Sequence, residues 1–74
     1  MTSRDVIRHY CREFGAKIVW RSWRDKMIEQ GREVKPELNA GFDVIPEQDQ
    51  VLDQYIAREV IEDFLSYIGE SATD

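Results

Sequence analysis

The chain has 74 residues, too few for a multidomain enzyme. Hydrophobic residues make up 42% and charged residues 34%, the balance of a globular domain and not of a disordered segment. Lysine and arginine number 10 against 15 acidic residues, a net charge of −5, which argues against duplex nucleic acid as a partner.

A first helix is predicted over residues 4–14. Thr2 or Ser3 can cap it, and Gly15 stands where a helix stops in the left-handed conformation. Val6, Ile7, Tyr10, Cys11 and Phe14 form its apolar stripe, with Arg4, Arg8 and Arg12 on the other side. A second helix is predicted over residues 16–30, ending at Gly31, with Ala16, Trp20, Trp23 and Met27 on one stripe and Val19 at its edge. Residues 32–45 lack helical periodicity and carry Pro36, Asn39 and Gly41, so they read as an ordered loop with a candidate short strand at residues 33–35.

The third helix is predicted over residues 46–68. Pro46 suits the first helical position, acids fill the first turn, and Gly69 stands as its stop. Its apolar residues fall on two nearly opposed faces. Val51, Leu52, Tyr55 and Ile56 make one; Ala57, Val60, Ile61, Phe64, Leu65 and Ile68 make the other. A straight helix cannot bury both against two short helices. The helix kinks near Arg58, the loop folds back over one half, or another chain covers it. The expected architecture is therefore mainly α: a small three-helix domain with an ordered central loop over residues 1–69, followed by a frayed polar tail at 70–74.

A chain of this length buries only about 60% of its unfolded surface and usually leans on a staple or a partner. Cys11 is the only cysteine and His9 the only histidine, so neither an internal disulfide nor a multi-histidine or CxxC metal site is expected, and no cofactor is implied. A lone thiol, no secretory pattern and no apolar run of ~20 residues point to a cytoplasmic protein without a membrane span. Self-association is the remaining source of stability. The second face of the third helix supplies the expected oligomer interface: Val60, Ile61, Phe64, Leu65 and Ile68.

Catalysis has little to work with. Cys11 lies on an apolar stripe as an inert thiol, and no serine shares a face with His9. No phosphate-binding glycine loop or HExxH is present. Charge is unevenly spread instead. Residues 1–35 carry nine basic and five acidic side chains, a surplus of +4, whereas residues 36–74 carry Arg58 against ten acids, −9. Either the halves pair within one fold, or the first two helices present an anion-binding face. On the second view the binding residues are Arg8, Arg12, Trp20, Arg21, Arg24 and Tyr55, arginines holding an anion beside aromatic platforms. A compact anion, either a nucleotide or an acidic patch on a protein, avoids most of the repulsion from the acidic half.

Trp23-x7-Gly31, Lys35-Pro36, Phe42-Asp43-Val44-Ile45-Pro46-Glu47, and Asp53 with Ala57 four residues on together resemble the RyR domain, the module repeated in ryanodine receptors and found alone in bacterial and phage proteins. The resemblance spans about residues 16–69. It departs from the family pattern where Trp20 replaces a histidine, Gln50 a lysine and Gln54 an arginine. The resemblance implies a small non-catalytic helical module. It further implies a phage or prophage protein acting in host-defence conflict, by binding a partner protein or sequestering a nucleotide-type signal. The alternative expectation is a structural or regulatory homo-oligomeric assembly protein without a small-molecule ligand.

Overall fold

The computed structural model describes residues 2–71. Thr2 opens the first helix with a capping box: its hydroxyl accepts the Asp5 backbone N–H at 3.2 Å, and the Asp5 carboxylate accepts the Thr2 N–H at 3.2 Å. The Thr2 backbone N–H, with a smaller contribution from the Thr2 hydroxyl, holds the Asp5 carboxyl below its ordinary range. Helix α1 (Ser3–Tyr10) and helix α2 (Ala16–Glu29) are not separated by a turn. A π-helical segment, Cys11–Gly15, joins them into one rod. The fold is mainly helical, as expected, but it has two long rods where three helices were predicted.

The spacing of the apolar residues explains the join. Ile7 and Cys11 share one stripe, as do Ala16, Trp20, Trp23 and Met27. The step from Cys11 to Ala16 is five residues, which lies about 140° out of phase on an α-helix but closes one turn of a π-helix. The π segment thus carries the stripe across the junction. Gly15 is not a stop: its φ and ψ, −58° and −49°, are ordinary right-handed values. It is small for another reason. A Cβ there would stand 2.9 Å from the Ala57 Cβ and 3.2 Å from Cys11 Sγ, so glycine permits the rods to approach.

Gly31 does stop α2, and here the left-handed conformation is required, with φ 71°. The Gly31 N–H donates to the Ile28 carbonyl and the Arg32 N–H to the Met27 carbonyl, both at 2.9 Å, the double bond of a Schellman end. The following loop holds two short 3-10 turns, Pro36–Leu38 and Phe42–Val44. Residues 33–35 form no strand, and no strand occurs among the described residues. The loop is pinned at both ends. Trp20 Nε1 donates to the Leu38 carbonyl at 2.8 Å, and Gln50 Nε2 donates to the Ile45 carbonyl at 2.9 Å, with Ile45 buried.

Helix α3 (Glu47–Ser71) starts after Pro46, whose carbonyl accepts the Asp49 and Gln50 N–H groups. It is one helix through Arg58 and continues past Gly69, so the expected stop does not occur. Gly69 instead makes room: an added Cβ would collide with the Arg4 guanidinium lying over it. That cation sits near the carbonyl end of α3, where the helix dipole favours it. Of the expected frayed tail, residues 70–71 are helical and residues 72–74 lie outside the described residues.

The rods run antiparallel, with Arg4 beside Gly69, Arg8 beside Glu62 and Gly15 beside Ala57. Two rods make one layer. The buried side chains between them are Ala16, Ile45, Ala57 and Leu65. Cα atoms give a radius of gyration of 14.8 Å, against ~11 Å for a compact chain of this length.

Candidate functional site

Beside the close approach of Gly15 and Ala57, the first rod and α3 leave a groove of about 470 Å³. Arg8, Cys11 and Arg12 line one wall; Val51, Gln54, Tyr55, Arg58, Ile61 and Glu62 line the other. Its volume is in the range of small-ligand sites. Three guanidinium groups face one carboxylate there.

The arginines are held differently. Arg8 is fixed by a fork on Glu62, Nε to Oε1 at 2.9 Å and Nη2 to Oε2 at 3.1 Å. The bond holds the Glu62 carboxyl below its ordinary range and raises Arg8. Arg58 lies over the Tyr55 ring, 5.5 Å from the ring centre. Arg12 has no ion-pair partner among the described residues. Arg12 and Arg58 are therefore the cations open to an anion, with the exposed Tyr55 ring beside them.

Three of the six predicted binding residues, Arg8, Arg12 and Tyr55, thus meet in one groove. The other three do not. The Trp20 indole is half-buried and spent on the Leu38 carbonyl, and Arg24 covers its ring at 4.5 Å while bonding Asp25 at 2.9 Å. That cluster fastens the loop. Arg21 lines a separate shallow concavity with Lys17, Phe14 and Phe42, where Lys17 reaches Asp43 at 3.9 Å. Arg58 escaped the sequence reading, although it is the single basic residue of the acidic half and falls three residues from Tyr55, on its helical face.

The opposite face of the layer is apolar. Val6, Tyr10 and Phe14 point away from Arg8 and Arg12 on the first rod; Val60, Phe64 and Tyr67 point away from Arg58 and Glu62 on α3. All six are exposed, and Tyr10 and Phe14 stack at 5.2 Å between ring centres. Of the predicted oligomer-interface residues, Val60 and Phe64 lie on this face. Leu65 does not: it is 1% exposed, packed between the rods with no surface to offer a partner. Ile61 and Ile68 are half-buried in the same seam. Val60 and Phe64 each stand about 100° round the helix axis from their neighbours Ile61 and Leu65, so the predicted stripe is wider than the seam and is split between seam and surface.

No known family matches the chain, and neither a curated protein nor a solved structure does. No helix among the described residues is long and apolar enough to cross a membrane.

Proposed function

We propose that this protein is a small non-enzymatic binding module whose arginine groove engages a compact anionic partner, either a nucleotide-type signal or an acidic patch on a protein. One observation carries this reading: Arg8, Arg12 and Arg58 converge beside Tyr55, with Glu62 as the only carboxylate lining the groove among the described residues. A planar guanidinium next to an aromatic ring suits an anion attached to a flat or apolar group. The acidic remainder of the surface repels extended polyanions, which favours a compact one. The RyR-like residues add a setting in phage–host conflict, and the lone thiol Cys11 suits a place in the reducing cytoplasm.

The test is a binding titration across a salt series, with AMP and an oligoglutamate peptide as probes. Saturable binding that weakens with salt, and is lost in Arg12→Ala/Arg58→Ala, supports the reading. Binding by neither probe, or binding indifferent to that double substitution, rejects it. The second reading, an assembly protein without a small ligand, is favoured by the exposed apolar face on the other side of the layer.

A further inference from the structure

We infer that the apolar face formed by Val6, Tyr10, Phe14, Val60, Phe64 and Tyr67 is covered by a second copy of this chain, making a four-helix bundle with both arginine grooves facing outward. The inference goes beyond the groove reading and does not depend on it.

The first argument is area. The accessible surface is 5720 Å², whereas a compact monomer of this mass exposes about 4,800 Å². The surplus of about 900 Å² is close to the ~800 Å² that each partner contributes to a standard interface. The face supplies much of it. Tyr10, Phe14, Phe64 and Tyr67 are 52%, 51%, 46% and 69% exposed; at ~200 Å² per aromatic side chain they show about 440 Å² between them. With the two valines the face offers about 600 Å² per copy, about 1,200 Å² for a pair, the lower end of standard interfaces.

The second argument is register. The antiparallel rods set Val6 level with Tyr67, Tyr10 with Phe64 and Phe14 with Val60, as the neighbouring pairs Arg4–Gly69, Arg8–Glu62 and Gly15–Ala57 show. A two-fold axis along the hairpin lays each copy's first rod on the other's α3 at these same levels. Each stripe then meets the stripe it is matched to, and every adjacent pair of helices is antiparallel. The face is thus self-complementary, the condition for an isologous dimer, and the product is a common bundle arrangement. Charged side chains flank the face: Lys17, paired with Asp43, and Arg21 line the concavity beside Tyr10 and Phe14, so in the closed pair they belong to its rim. The same two-fold turns the groove of each copy outward, so the dimer presents two anion sites on opposite sides.

The occupant is tested by light scattering during size-exclusion chromatography at about 100 μM, where affinities near 1 μM are visible. Wild type is expected at twice the chain mass, and so is the groove variant Arg12→Glu. Tyr10→Glu and Phe64→Glu are each expected at the single-chain mass with helical circular dichroism retained. If both variants unfold, wild type decides: its melting temperature must rise with protein concentration, as for any dimer-linked fold. A wild-type monomer at that concentration, a dimer unmoved by both face substitutions, or a melting temperature independent of concentration overturns the inference. Failure here leaves the anion titration untouched, and failure of that titration leaves the mass untouched.

Discussion

The two broad faces of this single helical layer are built from the same two rods, yet they differ in kind. One face carries charge: Arg8 is paired with Glu62, Arg58 lies over Tyr55, and Arg12 has no ion-pair partner among the described residues. On the other, six exposed apolar side chains stand in two matched stripes. The difference teaches how a short chain divides its labour. It has too few apolar residues to build a two-layer interior, so it spends the smallest ones, Gly15, Ala16 and Ala57, on bringing the rods close. Many of the large ones stay outside, where burial must come from another molecule.

The sharpest way to test this division is to truncate one side chain from the seam and one from the apolar face. Leu65 is packed between the rods, and Leu65→Ala should cost about 2–5 kcal/mol, comparable to the whole stability of so small a domain. Val60 is 65% exposed in the single chain. Val60→Ala should therefore leave the monomer almost unchanged and weaken only self-association. Thermal melts of both variants, at low and high protein concentration, separate the effects. Equal losses at low concentration would show that the apolar face is already part of the fold.

A smaller effect distinguishes the two tryptophans. Both sit on the stripe expected to face inward, and Trp23 stands at its centre. In the structure Trp23 is 41% exposed, whereas Trp20 pins the loop through Nε1. Trp20→Phe, which keeps the ring and removes the donor, should cost about 1 kcal/mol and speed amide exchange in the loop around Leu38. Trp23→Phe should do neither. Loop exchange that responds to Trp23 and not to Trp20 would place the anchor elsewhere.

Much of the local structure was legible. The Thr2 cap, the Gly31 stop and the Pro46 start follow from side-chain chemistry within a few residues, and the structure has all three. What escaped depends on contacts distant in sequence. Gly15 and Gly69 resemble helix stops until Ala57 and Arg4 are seen against them. The five-residue step between stripes was present in the sequence, but a helix break and a π turn both explain it until the rods pack. The groove was half legible: Arg8 and Arg12 are one turn apart on the first rod, and Tyr55 was placed on a face of α3. Their meeting with Arg58 is set by the antiparallel register. Leu65 and Phe64 are neighbours on one stripe, and only the crossing of the rods decides which is buried.

The smallest predicted effect lies at Asp53 on α3. This carboxylate is half-buried, and no cation pairs with it among the described residues. Burial pushes its carboxyl above the ordinary range, and the negative charge of Asp49 one turn away pushes the same way. The sign follows from linkage. A folded-state pKa above the unfolded value means that the folded chain takes up the proton first. Ionised Asp53 therefore weakens the fold at neutral pH, and the penalty disappears as pH falls below both values. Asp53→Asn, which matches the shape without the charge, should raise the melting temperature by a few degrees at neutral pH. At about pH 3, below the ordinary carboxylate range, wild type and variant should melt together. A gain that persists at low pH would mean that the amide makes a new hydrogen bond, and the stabilisation would then not come from removing a charge.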